Sequence, residues 1–118
     1  MDLHSVEEVV LEPGIPRLVP TGLTLEIPPG FEGQVRPRSG LALKHGITVL
    51  NSPGTIDCGY RGEVGIILIN HGRARFDVRP GMKIAQLVVS PCMSVDVVET
   101  SDLAGSDRGQ GGFGSTGS

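Results

Sequence analysis

Short apolar runs alternate with turn signals along most of this sequence. Leu23, Leu25 and Ile27 show the period of two that is typical of a half-buried β-strand. Residues 64–69 are apolar at nearly every position, so we expect a strand buried on both faces, inside the domain or against another subunit. Further short runs predict strands at 76–78, 84–89 and 95–98. Pro- and Gly-rich turns separate the runs, at 12–14, 28–30, 52–54, 71–72 and 79–81.

This spacing predicts an all-β sandwich, jelly roll or barrel. At most one short helix is expected. Its best candidate is Ser39 to His45, because Gly46 directly after it is a natural helix stop; a loop is the alternative there. The 118 residues suffice for one compact domain.

Composition restricts the function classes. The formal net charge of −3 argues against nucleic-acid backbone binding, which needs a positive surface, but leaves room for a small phosphorylated ligand. No run approaches the length of a membrane span, and no signal peptide is visible. Cys58 and Cys92 lack CxxC spacing and are interpreted as reduced thiols of a cytoplasmic protein. His4, His45 and His71 lack ligand spacing, so no protein-held zinc is expected.

Two segments upstream of the tail carry candidate chemistry. Arg36-Pro37-Arg38-Ser39-Gly40 offers guanidinium groups and flexible backbone N–H groups that suit phosphate, or it is a solvated turn. Asp57 follows an apolar residue and could act as a general base at a strand end. Tyr60, the only tyrosine, could stack on a sugar or base. The alternative is a β-turn with a capping Asp57 and a core Tyr60.

The last 14 residues, 105–118, include six glycines and should be mobile when free. Arg108 could clamp phosphate, and Phe113, surrounded by glycines that include Gly114, could stack on a base. The segment is therefore either a flexible terminus or a lid that orders over a ligand.

Together these residues resemble the trimeric dUTPase family, which has five motifs in a set order. The matching segments are 1–5 (MDLHS), 37–42 (PRSGLA), 54–63 (GTIDCGYRGE), 79–86 (RPGMKIAQ) and 108–117 (RGQGGFGSTG). The resemblance implies a jelly-roll-like homotrimer whose active sites lie between subunits. It also implies hydrolysis of dUTP to dUMP and pyrophosphate, with Mg²⁺ held mainly by the substrate phosphates and no direct protein ligand.

The resemblance assigns roles by position. Asp57 matches the aspartate that orients and deprotonates the attacking water, and Asp2 is expected to touch Mg²⁺ only through water. Tyr60 matches the ring that packs on deoxyribose and leaves no room for a 2′-hydroxyl. The family's phosphate-binding residues correspond to Arg38, Ser39, Gly40 and Gln86. Its uracil-reading hairpin corresponds to Asn51 and the backbone from Thr55 and Ile56 to Gly65. The residues of its tail that bind phosphate and cover uracil correspond to Arg108, Phe113 and Gly114.

The sequence departs from the family at two places. Gly59 stands where some members have a second aspartate; Asp57 and Tyr60 are retained, so activity is expected. The family has a strand ahead of the first motif, so the core at 1–104 is expected to lack it, which would expose a sheet edge. Residues 105–118 form the predicted tail.

The sequence is compatible with two other functions. A dCTP deaminase, or a bifunctional deaminase–dUTPase, shares the fold and would need a pocket glutamate, for which Glu63 is the candidate. A β-module that binds nucleotide without turnover is the non-enzymatic alternative.

Overall fold

A computed structural model describes residues 1–117. Nine strands and one short helix lie between residues 2 and 91. In chain order the elements are β1 (Asp2–His4), β2 (Val9–Leu11), β3 (Arg17–Thr24), β4 (Phe31–Arg36), α1 (Ser39–His45), β5 (Ile47–Val49), β6 (Gly54–Ile56), β7 (Glu63–Asn70), β8 (Phe76–Val78) and β9 (Lys83–Pro91).

The strands form three antiparallel sheets. Their orders are β1-β9-β4-β6, β3-β7-β5 and β2-β8. Neighbours in a sheet are mostly distant in sequence, as in a jelly roll, where crossing connections link two packed layers. The predicted all-β class with a single short helix is therefore confirmed.

The helix prediction is confirmed in detail. Helix α1 spans Ser39–His45, and Gly46 follows it with φ 69°, in the left-handed region that glycine enters without strain. The Gly46 N–H donates to the carbonyl of Ala42 at 3.0 Å, which closes the last turn.

The core lies between the sheets. Its fully buried side chains include Leu3, Leu11, Val19, Ile47, Ile66, Leu68, Val78 and Ile84. Each such side chain contributes roughly 1.5–3 kcal/mol relative to its exposed state. The alternation of apolar residues in these short strands thus supplies one continuous core.

Strand β7 is only partly buried on both faces. Val64, Ile66 and Leu68 fill the core, and Ile69 is also buried. Ile67 is half-buried, however, and its partner across the sheet, Leu18, is 66% exposed. One part of the second face of β7 therefore stays uncovered within a single chain.

Two strand predictions were wrong. The alternating run at 23–27 is mostly not a strand, because β3 ends at Thr24 after a register shift beside Gly22, whose φ is 71°. The run at 95–98 forms no strand either, and Val97 is 93% exposed. A strand needs a hydrogen-bonding neighbour and a face to bury, and residues 1–117 offer this run neither.

Residues 92–117 form no helix or strand, and all of them except Gly111 are exposed. The radius of gyration is 18.7 Å, whereas a compact domain of this length has about 13 Å. The last strand ends at Pro91, and the predicted boundary between core and tail at residue 104 stays a prediction.

Among the described residues, no helix is long and apolar enough to cross a membrane.

Candidate functional site

A cleft opens where β6 ends and β7 begins. Its volume is 230 Å³, and it is lined by Thr55, Ile56, Asp57, Tyr60, Glu63, Val64 and Gly65. Five predicted site residues, Thr55, Ile56, Asp57, Tyr60 and Gly65, therefore share one cavity.

The cleft exists because β6 and β7 belong to different sheets. Strand β6 pairs with β4, whereas β7 pairs with β3 and β5. The prediction of an antiparallel hairpin across this segment was therefore wrong: the two strands diverge as each joins its own sheet. The backbone N–H and C=O groups that β6 and β7 do not use to hydrogen-bond with each other can instead bind a ligand in the gap.

Asn51 lines a second cavity that adjoins this gap. This cavity has a volume of 60 Å³ and shares Thr55, Ile56 and Gly65 with the first. The predicted uracil-reading residues are therefore adjacent, although 14 positions separate Asn51 from Gly65.

A tight turn presents Asp57 to solvent. The Tyr60 N–H donates to the Asp57 carbonyl at 3.1 Å, which closes the turn after β6. Arg61 Nη1 donates to the Cys58 carbonyl at 2.7 Å and to the Tyr60 carbonyl at 3.2 Å, and these two side-chain hydrogen bonds stabilise the turn. Asp57 is exposed and takes part in none of the ion pairs within residues 1–117. Its carboxylate is therefore open to water and ligand.

Tyr60 stands on the wall of the cleft and is not a core residue, since 47% of it is exposed. Its hydroxyl donates to the Glu63 carbonyl at 2.8 Å. The Glu63 carboxylate in turn accepts from the Gly22 N–H at 2.9 Å, which ties the cleft to the bulge in β3. The Tyr60 ring is thus oriented by its hydrogen bond to Glu63, whose own position is fixed by the contact with Gly22.

A separate, positively charged cavity lies beside α1. Its volume is 390 Å³, and it is lined by Arg38, Gly40, Leu41, Lys44, His45, Met82 and Lys83. Arg38 and Lys83 both contact the Asp2 carboxylate, at 2.9 and 3.3 Å. The hydrogen bond from Lys83 and the charge of Arg38 hold the pKa of Asp2 below its ordinary value, against the opposing effect of desolvation.

The remaining predicted phosphate residues lie nearby. Ser39 and Gly40 form the start of α1, where the first backbone N–H groups have no partner within the helix. Gln86 is exposed on β9, opposite Asp2 on one side and Arg36 on the other. The fold therefore brings the first, second and fourth motifs together at one end of the four-stranded sheet.

The tail residues line neither the Asp57 cleft nor the Arg38 cavity. Arg108 Nε donates to the Gly111 carbonyl at 2.7 Å, within the tail itself. Phe113 is fully exposed, with a positive φ of 26°. Neither cavity is lined by Arg108, Phe113 or Gly114. One chain alone therefore does not unite the predicted site.

The residues do not form a protein cage for a metal ion. Within residues 1–117, no three His, Cys, Asp or Glu side chains are grouped so that they could hold one. Both carboxylate oxygens of Asp2 already face cations. The cationic donors in this region suit phosphate oxygens.

Lys83 was not singled out from the sequence. Its only signal was its place within the fourth motif, because nothing local shows that β1 and β9 pair and bring it to Asp2. Glu63 was considered only as the glutamate that would activate water in a deaminase, whereas its carboxylate accepts a hydrogen bond from the Gly22 N–H.

The fold and these two cavities define an all-β protein with a cavity rich in cationic side chains and a separate cleft that bears the exposed carboxylate of Asp57. The sequence model of the dUTPase family matches residues 1–117. The chain therefore belongs to the dUTPase family.

Similar proteins agree with this assignment. The deoxyuridine 5′-triphosphate nucleotidohydrolase of Clostridium acetobutylicum is 64% identical over 117 residues, which are 99% of this chain and 81% of that protein. That of Gloeothece citriformis is 59% identical, with the same shares covered.

Solved structures agree as well. A mutant dUTPase of Staphylococcus bacteriophage 80alpha, with dUpNHpp, has a TM-score of 0.90 at 27% identity and covers 99% of this chain and 85% of that chain. A mutant dUTPase from phage phi11 of S. aureus, whose structure reveals the coordination of a structural Mg(II) ion, has a TM-score of 0.81 at 26% identity. The match covers 88% of this chain and 84% of that one.

Proposed function

We propose that this chain hydrolyses dUTP to dUMP and pyrophosphate as a homotrimer that uses Mg²⁺. The observation that carries the proposal is the uncovered Asp57 carboxylate in the same cleft as Tyr60 and the divergent β6 and β7 backbones. Such an enzyme keeps uracil out of DNA and supplies dUMP for dTMP synthesis.

The nucleoside end of dUTP enters the cleft. Uracil pairs its polar edge with backbone of the segment from Thr55 to Gly65 and with Asn51, and the narrow space between β6 and β7 excludes a thymine methyl group. The ring of Tyr60 packs on the deoxyribose. This placement leaves Asp57 beside the α-phosphate, because Asp57 and Tyr60 line the same cleft.

Hydrolysis is one displacement at phosphorus. Asp57 accepts a proton from a water molecule as the water oxygen bonds to the α-phosphorus. The bond from that phosphorus to the bridging oxygen breaks, and the electron pair leaves with pyrophosphate. Arg38, Ser39, Gly40 and Gln86 bind phosphate oxygens, and Arg108 with Phe113 and Gly114 covers the bound nucleotide. Mg²⁺ bound to the triphosphate would neutralise part of its charge, and Asp2 would contact the ion only through water.

Two observations support a homotrimer with shared sites. The Asp57 cleft, the Arg38 cavity and the tail are separate in one chain, as they would be in a site that three chains build together. Apolar residues stand open to solvent, Leu18 at 66% and Val95 at 73%. Exposed apolar surface of this kind is typical of subunit interfaces. The free thiols of Cys58 and Cys92 support a cytoplasmic location.

Neither competing function is favoured. A deaminase would need a pocket glutamate free to activate water, but Glu63 is engaged with the Gly22 N–H. A module that binds without turnover has no need for the open carboxylate of Asp57.

One assay separates these functions. Pyrophosphate and ammonia release are measured from dUTP, dCTP, dTTP and UTP with Mg²⁺ and with EDTA. We expect pyrophosphate from dUTP alone, without ammonia, and only when Mg²⁺ is present. Ammonia from dCTP would establish the deaminase, and tight dUTP binding without any release would establish the binding module.

A further inference from the structure

The ring of Tyr60 lies directly over Gly62. A Cβ atom built on Gly62 would be 2.5 Å from the Tyr60 hydroxyl oxygen, 2.6 Å from Cζ and 2.9 Å from Cε1. Carbon atoms that are not bonded stay about 3.5 Å apart or more. No side chain at position 62 is therefore compatible with the observed place of the ring.

This requirement concerns space and not backbone conformation. The φ of Gly62 is outside the left-handed region, so an alanine could adopt the same backbone. The atoms that it would meet form the far end of the Tyr60 side chain, which can rotate away. Substitution should therefore move the ring and leave the fold intact.

The ring cannot move and keep its hydrogen bond. Its acceptor is the Glu63 carbonyl at 2.8 Å, and that backbone is held where the Glu63 carboxylate meets the Gly22 N–H. In addition, the buried Thr21 hydroxyl donates to the adjacent Val64 carbonyl at 2.6 Å. A displaced ring would thus lose the contact that orients it.

We propose that Gly62 is a specificity-determining residue. Because Gly62 has no side chain, the Tyr60 ring can occupy its observed position, and this position of the ring determines the discrimination between deoxyribose and ribose. The proposal rests on the proposed function, in which the ring packs on the sugar. With the ring displaced, the sugar pocket is wider, so dUTP loses a packing contact and UTP loses a clash.

The test measures the ratio of kcat/KM for dUTP to that for UTP. We expect this ratio to fall by about tenfold or more in Gly62→Ala, a typical size for selectivity set by packing. Asp77→Asn, at a residue that lines neither the Asp57 cleft nor the Arg38 cavity, should keep the wild-type ratio. Gly59→Ala is the control for the position of the ring: Gly59 is in the same turn, has no left-handed φ, and a Cβ there would meet nothing within 4 Å. An unchanged ratio in a folded Gly62→Ala protein would overturn the proposal.

A double-mutant cycle isolates the ring. In a Tyr60→Ala background no ring remains to be displaced, so adding Gly62→Ala should leave the ratio unchanged. If Gly62→Ala lowered the ratio equally in both backgrounds, Gly62 would act independently of Tyr60 and the inference would be wrong.

A spectroscopic measurement separates this inference from the proposed function. The chain has one tyrosine and no tryptophan, so tyrosine fluorescence and ring proton shifts report Tyr60 alone. Both should change in ligand-free Gly62→Ala and remain as in wild type in Gly59→Ala. An unmoved ring signal would refute the inference, whereas absence of dUTP turnover by the wild-type chain would refute the proposed function.

Discussion

Arg38 donates a hydrogen bond of 2.9 Å to the carboxylate of Asp2, across 36 positions of sequence. The contact joins β1 to the start of α1, and Lys83 of β9 holds the other carboxylate oxygen. Three segments that are far apart in the chain thus meet at one acidic side chain. Asp2 balances two cations that would otherwise repel each other.

The pH dependence of stability follows from this cluster. The pKa of Asp2 is lowered from 3.8 in the folded chain, mainly by the hydrogen bond from Lys83. Its stabilising contribution is therefore complete above that value and is lost as pH falls through the lowered pKa. We expect Asp2→Asn to lower Tm at neutral pH, and the difference from wild type to shrink as pH falls through the lowered pKa of Asp2. Thermal melts at neutral pH and across this acid range measure the difference, and a difference that stays constant would contradict the prediction.

The open carboxylate of Asp57 predicts a selective loss of chemistry. Asp57→Asn keeps the size of the side chain and removes the base, so kcat should fall by about 10²- to 10⁴-fold. The dissociation constant for dUTP should change little. Asp77→Asn is the matched control, because Asp77 pairs with Arg75 at 2.9 Å and lines neither cavity. Pyrophosphate release and calorimetry provide the two readouts; turnover that survives in Asp57→Asn would disprove the mechanism.

The exposed tail predicts a loss of turnover without a loss of assembly. Deleting residues 105–118 removes Arg108 and Phe113, so pyrophosphate release from dUTP should drop sharply while the trimer persists. Sedimentation velocity measures assembly. Leu103→Ala, at a residue that is 88% exposed just before the tail, should retain activity. If the truncated chain sedimented as a monomer, the tail would instead serve assembly.

Alanine substitutions at two glycines should lower stability by different amounts. Gly30 and Gly46 both have positive φ, at 85° and 69°. A Cβ on Gly30 would meet nothing within 4 Å, so Gly30→Ala should cost only the strain of that conformation, about 1 kcal/mol. A Cβ on Gly46 would be 2.7 Å from the backbone nitrogen of Gly72, which cannot rotate away. Urea unfolding should show Gly46→Ala to be clearly the less stable variant; equal losses would disprove the clash.

Local signals explain much of what could be predicted. The Pro28-Pro29-Gly30 turn, the end of α1 at Gly46 and the strands at 76–78 and 84–89 each depend on residues within a few positions. Apolar alternation there agreed with burial, because each strand has a neighbour that covers it. The same pattern at 95–98 misled because residues 1–117 give that run no partner strand.

The sequence by itself determined the all-β class, the short helix, the family motifs and Asp57 as the candidate base, because turn chemistry and periodicity are local and the order of motifs is read directly along the chain. Only the tertiary structure decided that β6 and β7 join different sheets and open a cleft, that Lys83 and Arg38 share Asp2, and that the Tyr60 ring lies over Gly62. The physical reason is that strand pairing is a long-range choice. Hydrogen bonds between strands and shared burial select partners from the whole chain, and no local pattern records that selection.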